Sequence, residues 1–374
     1  MIYLDYNATT PLDPRVREEI IKAFDEFGNP SSIHAFGKKA KEIIELSRLK
    51  VAKLIQANPE EIIFTSGGTE SNNLAIFGRA LCYSSGHIIT SCIEHPSVLN
   101  PCRQLERMGY NVTFLPVSQK GIVDPDDVKK ALKKDTILVS IMHANNETGV
   151  IQPIREIGEI LLEEEIPFHT DCAQSIGKIP VSVQALPVTM LTIAGHKFYA
   201  SKGVGALYLK KDFFIKPLLI GASHEKGLRP GTENTSYIAG LGKACEIVSE
   251  EFSDTVEHLQ HVTESLLHGL LDISEIKLNS EGVFRLPNTI NISIKGIYAD
   301  EFVERLAYKV AISAGSACHA GIRRASDVLV AMGLSEDEAL SSVRISTGKF
   351  TTEDEIIQAQ EIIKNEINKI IKFS

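Results

Sequence analysis

Short, continuously apolar runs alternate with amphipathic stretches along most of the chain. A run that is apolar at every position is typical of a strand covered on both faces, as in a parallel sheet between helices. The pattern predicts strands at 61–65, 87–92, 111–115, 136–142, 166–171, 190–194 and 205–209. Helices are predicted around them, including 37–57, 96–108 and 126–134. We therefore expect an α/β fold with a mostly parallel, mixed sheet between helices.

The pattern changes near residue 246, where a long charged helix is predicted to run to about residue 268. A strand at 289–294 and helices at 299–309, at 325–332 and at the C-terminus follow. This second region is typical of a smaller α+β domain. We expect a large domain at 13–250 and a small domain formed by 1–12 and 251–374.

Composition narrows the class of protein. The 374 residues are 43% hydrophobic and carry a net charge of −9, as in a globular protein without a surface-wide basic face. No membrane and no direct nucleic-acid partner is therefore expected. The six cysteines form no CxxC pair and no zinc-like spacing, and the first residues lack a secretory signal. We expect free thiols, no resident metal and a cytoplasmic location.

A lysine and an aspartate follow neighbouring predicted strands. Lys197 comes just after the strand 190–194, where a buried amine is costly unless it is neutralised or paired. A Schiff base with an aldehyde cofactor would neutralise it and supply chemistry. Asp171 ends the preceding strand and could face the ring nitrogen of pyridoxal phosphate, keeping that ring an electron sink. A surface lysine and a helix-capping aspartate are the competing interpretations.

Other residues fit such a cofactor site. The segment at 65–73 joins a strand, two glycines and a helix N-terminus, an arrangement that binds phosphate. His95 follows another strand and could stack on a flat ring or move protons. Gln174 could donate to the phenolic oxygen of the cofactor, or it could be a polar residue in a first helical turn.

Two further residues point to a sulfur-containing amino acid. Cys318 lies in SAGSACHAG, whose small residues predict a mobile loop, so its thiol could reach a substrate and then an acceptor. His319 could lower the pKa of that thiol, and a plain exposed cysteine is the alternative. Arg344, between β-branched residues, could bind a substrate carboxylate or form a salt bridge between domains.

Taken together, these motifs identify a family. The chain resembles the cysteine desulfurases and selenocysteine lyases, pyridoxal-phosphate enzymes of the class V aminotransferase type. The resemblance runs along essentially the whole chain, through YLDYNATTPLDP, IIFTSGGTESNNLAI, SCIEHPSV, MHANNETGV, HTDCAQSIGK, GHKFYASKGVGALYL, RPGTENT, SAGSACHAG and VRISTGKFTT. It implies the fold of the pyridoxal-phosphate-dependent transferases of fold type I.

The resemblance also implies roles for individual residues. Lys197 resembles the lysine that holds the cofactor, Asp171 its ring-nitrogen partner, Gln174 the phenolic-oxygen donor and His95 the histidine that stacks on the ring. We expect Lys197 or His95 to move the α-proton of the substrate. Thr232 resembles a phosphate contact made from a second subunit, which implies a homodimer. The remaining matches are phosphate contacts (Gly68, Thr69, His196), ligands of the substrate carboxylate (Asn146, also at the cofactor, and Arg344) and the persulfide-forming nucleophile (Cys318).

The implied activity is removal of sulfur from L-cysteine to give L-alanine and a persulfide on Cys318. An iron–sulfur scaffold or a thiolation enzyme would then accept the sulfur, and Cys318 would ligate a cluster only in transit. Selenocysteine lyase activity is the nearer alternative, and a non-catalytic sulfur-relay subunit is the more distant one. Two positions depart from the family pattern: Ala194 replaces a frequent hydroxyl residue, and Cys172 replaces a frequent alanine.

Overall fold

The computed structural model describes residues 1–315 and 323–373. Its helices are α1 (Pro14–Phe24), α2 (Ala35–Leu54), α3 (Gly68–Ala80), α4 (Pro96–Arg107), α5 (Pro125–Ala131), α6 (Ile154–Glu163), α7 (Thr235–Leu271), α8 (Ala299–Leu306), α9 (Asp327–Ala331), α10 (Glu336–Leu340) and α11 (Glu353–Phe373). Its strands are β1 (Ile2–Tyr3), β2 (Ile62–Thr65), β3 (His87–Ser91), β4 (Asn111–Leu115), β5 (Thr136–Ser140), β6 (Phe168–Asp171), β7 (Met190–Ala194), β8 (Gly205–Leu209), β9 (Ile276–Leu278), β10 (Thr289–Ile294), β11 (Val310–Ala311), β12 (Ser313–Ala314) and β13 (Ser342–Ser346).

The main sheet has the strand order β2-β8-β7-β6-β5-β3-β4. Neighbours from β7 to β4 run parallel, whereas β8 is antiparallel to both β7 and β2. Strands β3, β5, β6 and β7 are buried at every position, as expected for central strands that helices cover on both faces. The predicted α/β class with a mostly parallel, mixed sheet is confirmed.

Individual boundaries follow from local chemistry. Strand β6 begins at Phe168, two residues after the predicted start, because Pro167 has no N–H for the sheet. Helix α2 begins earlier than predicted, since the N-cap residue His34 accepts a hydrogen bond from the Gly37 N–H at 3.2 Å.

A second sheet has the antiparallel order β12-β13-β10-β9. Its apolar face packs with α7, α8, α11 and the N-terminal residues Ile2 and Leu4 in one buried cluster. Helix α7 contributes Ile238, Leu241 and Ala244 to the core of the main sheet, and Val262 and Leu266 to this cluster. We propose that the division predicted at 13–250 lies within α7, which spans both cores. Among the described residues, no helix is long and apolar enough to cross a membrane.

Candidate active site

A cavity of about 420 Å³ opens where β6 and β7 end. This is the edge of a parallel sheet at which ligands bind in open α/β folds. Its wall contains Asn7, Ala8, Gly68, Thr69, Asn72, His95, Ser97, Met142, Ala144, Asn146, Asp171, Ala173, Gln174, Ala194, His196, Lys197 and Arg344. Nine predicted site residues therefore share one cavity: Gly68, Thr69, His95, Asn146, Asp171, Gln174, His196, Lys197 and Arg344.

One end of the cavity is the N-terminus of α3. Gly67 precedes this helix with φ of +146°, a conformation that a residue with a side chain rarely adopts. Helix α3 begins without a side-chain cap, so its first N–H groups are available to an anion. His196 also lines this cavity, and burial lowers its pKa to about 4, which leaves a neutral ring.

Lys197 ends the short 3-10 turn that follows β7. Its Nζ donates to the backbone carbonyls of Asn7 at 2.6 Å and Ala8 at 2.8 Å. Burial, assisted by the positive charge of Arg344, lowers the pKa of the lysine to about 8. A substantial neutral fraction near this pH makes Lys197 a nucleophilic amine that can also accept a proton.

The Asp171 carboxylate is held on both oxygens. Oδ2 accepts from Asn72 Nδ2 at 2.7 Å, and Oδ1 accepts from the Ala173 N–H at 2.8 Å. The side chain is buried at the end of β6 and faces the cavity. Such a fixed carboxylate can bind a protonated ring nitrogen.

His95 is the N-cap residue of α4. Its Nδ1 lies 2.7 Å from Ser97 Oγ and accepts the Ser97 backbone N–H at 3.1 Å. Burial lowers the pKa of the imidazole; the Asp171 carboxylate opposes this shift in part, and the charge of Lys197 adds to it. The ring is therefore neutral near neutral pH.

Gln174 belongs to a buried polar cluster behind Lys197. Its Nε2 donates to the Asn7 carbonyl at 2.9 Å, and its Oε1 accepts from Lys178 Nζ at 2.8 Å. Lys178 Nζ also lies 3.3 Å from Asn7 Oδ1. Burial lowers the pKa of Lys178 well below its usual range.

Arg344, on β13, lines the cavity and forms an ion pair with Asp5, which belongs to the same predicted small domain. Its Nη2 donates to Asp5 Oδ1 at 2.6 Å and to Ser313 Oγ at 3.0 Å, and its Nη1 donates to the Asn146 carbonyl at 3.1 Å. The guanidinium thus forms an ion pair, yet it also lines the cavity, and its buried Nε has no partner among the described residues. These bonds use three of the five N–H donors of the guanidinium, which leaves Nε and one hydrogen of Nη1 for a further acceptor.

One predicted site residue lies away from the cavity wall, and another lies outside the described residues. Thr232 is exposed in the loop before α7, outside the cavity wall. Cys318 lies outside the described residues, as does its neighbour His319. Within the described ranges, no cluster of three or more His, Cys, Asp or Glu side chains could hold a metal ion.

Sequence reasoning missed several residues that support the site. Asn7, Asn72, Ser97 and Lys178 lie within the motifs, but nothing local distinguishes them from ordinary polar residues. Their partners are distant in sequence, as with Asn72 and Asp171, which are 99 positions apart. The predicted strands and helices place Asp171 and the start of α3 at the same edge of the sheet. This proximity is the one signal that polar residues of α3, such as Asn72, could contact Asp171.

The class-V aminotransferase family model matches residues 2–358. The chain belongs to this family. Class-V relatives include the protein named cysteine desulfurase IscS from Dictyoglomus turgidum, which is 46% identical over 379 residues, covering 100% of this chain and 96% of the relative.

Solved structures of the family agree over the whole fold. A NifS-like protein superposes with a TM-score of 0.92 at 36% identity, covering 100% of both chains. The structure described as SspA in complex with cysteine gives a TM-score of 0.83 at 38% identity, covering 94% of this chain and 100% of that one. The fold expected from the resemblance, that of the fold type I transferases, is confirmed.

Pyridoxal 5′-phosphate is the cofactor of this class-V enzyme, as predicted. The cavity residues fit the chemistry of that group. The cavity wall provides an amine for the aldehyde and a fixed carboxylate for the ring nitrogen. It also provides a flat imidazole for stacking and an uncapped helix N-terminus for the phosphate.

Proposed function

We propose that this chain is a pyridoxal-phosphate-dependent cysteine desulfurase. It converts L-cysteine to L-alanine and holds the sulfur as a persulfide on Cys318. The observation that carries the proposal is the meeting of Lys197, Asp171 and Arg344 in one cavity. A full-length relative that is 46% identical and named cysteine desulfurase supports the same activity.

Within one subunit, the residues that would hold the cofactor lie on the cavity wall. Lys197 would hold the aldehyde carbon, Asp171 the ring nitrogen and Gln174 the phenolic oxygen, and His95 would stack on the ring. Gly68, Thr69 and His196 would hold the phosphate. When bound, the cofactor supplies an electron sink for the α-carbon of the substrate.

The substrate is oriented by its carboxylate. Arg344, already fixed by Asp5 and Ser313, lines the cavity with N–H donors that are not used by these two residues, and Asn146 lies beside it on the cavity wall. The amine of Lys197, with a pKa of about 8, could accept the α-proton of a substrate bound in the cavity. His95 is the other group that could move this proton.

The sulfur step is balanced without an oxidant. The Cys318 thiolate attacks the substrate sulfur, a sulfur–sulfur bond forms, and the carbon–sulfur bond breaks with its electron pair left on the carbon fragment. That fragment takes up protons and becomes alanine. The sum is cysteine plus enzyme thiol giving alanine plus enzyme persulfide.

The partners proposed are a second copy of the chain and a sulfur acceptor. Thr232 is exposed and lies outside its own cavity wall, which supports a role at the phosphate of the other subunit in a homodimer. The acceptor is an iron–sulfur scaffold or a thiolation enzyme. Cys82, Cys92, Cys102, Cys172 and Cys245 are free thiols, which supports a cytoplasmic location.

Alanine production from L-cysteine and from L-selenocysteine, measured side by side on one preparation, tests the proposal. We expect turnover of cysteine by the native enzyme and none by Lys197→Ala. Turnover of selenocysteine alone would replace the proposal with a selenocysteine lyase. Absence of turnover with either substrate in the cofactor-loaded native enzyme would leave a sulfur-relay subunit instead.

A further inference from the structure

Two groups proposed to face the cofactor, Asp171 and His95, are joined by a buried chain of hydrogen bonds. Asn72 Nδ2 donates to Asp171 Oδ2 at 2.7 Å and to Ser97 Oγ at 2.8 Å. Ser97 Oγ in turn lies 2.7 Å from His95 Nδ1. Asn72 is 1% exposed and Ser97 is 7% exposed, so water does not compete for these bonds.

The direction of each bond follows from the donors available. The Asp171 carboxylate accepts only, so it must face the NH₂ group of Asn72. The second hydrogen of that NH₂ group points to Ser97 Oγ, which therefore accepts there and donates its own hydrogen to His95 Nδ1. The Ser97 backbone N–H, at 3.1 Å, approaches the same nitrogen.

This orientation of the Asn72 side chain leaves its amide oxygen, Oδ1, without a hydrogen bond. Asn72 Oδ1 is buried and has no hydrogen-bond partner among the described residues. An unsatisfied buried acceptor is destabilising, and such atoms in native structures call for an explanation. Turning the amide over would bring this oxygen against the Asp171 carboxylate, so the Asp171 contact determines the orientation.

We infer that Asn72 and Ser97 are positioning residues that hold Nδ1 of His95 as a hydrogen-bond acceptor, so that His95 presents an N–H at Nε2 to the cavity and Lys197 alone carries the α-proton. The inference rests on the proposed function. It assigns the transfer of the α-proton to Lys197 and not to His95.

Burial is the largest influence on the imidazole and lowers its pKa. The Asp171 carboxylate, on β6, opposes this by favouring a charged ring, whereas Lys197, on the turn after β7, disfavours one. The ring also caps the N-terminus of α4, where the helix dipole disfavours a positive charge. A neutral ring that is protonated on Nε2 has no lone pair there, so it can donate a hydrogen bond but cannot remove a proton.

The test is ¹⁵N NMR of the holoenzyme labelled at histidine, with the His95 signals assigned through His95→Gln. We expect the neutral native ring to carry its proton on Nε2. Ser97→Ala and Asn72→Ala each remove support for the acceptor role of Nδ1, so the pKa of His95 should rise by about one pH unit. Ser97→Thr keeps the hydroxyl and should restore the native titration.

Asn73→Ala is the matched control, because Asn73 lies on the same helix but donates to the Thr69 carbonyl at the surface. It should leave the His95 titration unchanged. In the Ser97→Ala enzyme, kcat with L-cysteine should fall while KM stays unchanged, because Ser97 orients the His95 ring that is proposed to stack on the cofactor and does not hold the substrate.

A neutral native ring protonated on Nδ1 would overturn the inference. An unchanged His95 titration in Ser97→Ala would also overturn it. Ser97→Ala removes only a hydroxyl group, so it should fold even if Asn72→Ala does not. The ring titration does not depend on turnover. A failure of the proposed function would therefore appear separately, as a native enzyme that forms no alanine from cysteine.

Discussion

Arg344 donates from Nη2 to Asp5 Oδ1 at 2.6 Å, across 339 positions of sequence. Both side chains are largely buried, with 10% and 18% of their surfaces exposed. This pair ties the N-terminal segment to β13 and fixes the guanidinium at the cavity wall. A charge-assisted bond of this length is stronger and more directional than a neutral one.

Replacing Asp5 with asparagine should loosen the proposed substrate-binding arginine. We expect Asp5→Asn to raise KM for L-cysteine about tenfold with little change in kcat, because the lost bond orients a group that binds the substrate carboxylate. Steady-state kinetics at saturating cofactor measure this. Ser313→Ala, which removes the weaker 3.0 Å contact to the same nitrogen, should have a smaller effect. An unchanged KM in Asp5→Asn would show that the ion pair does not position Arg344 for binding.

Lys178 should make stability depend on pH. Its pKa is lowered in the folded protein by burial, so between the folded and the ordinary value the unfolded chain binds one more proton. The free energy of unfolding therefore rises with pH through that window, by up to about 1.4 kcal/mol per pH unit from this group.

Lys178→Met removes that dependence. We expect the free energy of unfolding of the variant minus that of the native enzyme to be larger at about pH 7 than at about pH 9, as measured by urea unfolding. Lys53→Met, at an exposed position of α2, is the control and should show the same difference from native at both pH values. An equal pH dependence in Lys178→Met and the native enzyme would mean that Lys178 is charged in the folded state.

Gly67 should matter to the cofactor through its backbone alone. A Cβ at this position would meet nothing within 4 Å, so Gly67→Ala adds strain at φ of +146° without a clash. We expect weaker binding of pyridoxal 5′-phosphate, because the strained turn would move the first N–H groups of α3. Gly109→Ala is the control, with φ of +94°, no neighbour within 4 Å and a place outside the cavity wall. Both variants should lose stability, and only Gly67→Ala should lose cofactor affinity; equal affinities would contradict the phosphate site.

Replacing Ala194 with serine should increase the affinity for the cofactor. It lines the cavity next to Gly68, where a Cβ would lie 3.2 Å from the Ala194 methyl. A serine there would add a hydroxyl donor beside the proposed phosphate site. We expect Ala194→Ser to tighten cofactor binding roughly 10- to 150-fold, as one hydrogen bond to a charged group would. Ala194→Gly adds no donor and should not tighten binding; if Ala194→Ser does not either, the phosphate lies elsewhere.

Much of the fold could be predicted because buried strands have a simple signature. Strands β4, β7 and β8 match their predicted bounds, since each is a short apolar run that ends in a polar or glycine-containing turn. Helix α7 begins eleven residues before the predicted start at 246. Its first turns bury Ile238, Leu241 and Ala244 in a sequence of small and apolar residues, which gives no polar face to recognise.

Some residues of the candidate site could also be predicted from the sequence, and others could not. Lys197 and Asp171 stand at strand ends and could be found from the sequence, because their chemistry is out of place in a purely structural position. Asn72 and Ser97 could not, since their role depends on a hydrogen bond across 25 positions that the fold creates. Asp5 was missed for the same reason, as its partner lies near the opposite end of the chain.

The most direct test of the account is a single turnover of L-cysteine by the cofactor-loaded enzyme, with alanine and protein-bound persulfide counted together in the native enzyme and in Cys318→Ala. We predict that the native enzyme forms one persulfide for each alanine. Cys318→Ala should bind cofactor normally and form neither product. Alanine formation at the native rate in Cys318→Ala, or persulfide on another cysteine in the native enzyme, would contradict the proposed desulfurase chemistry.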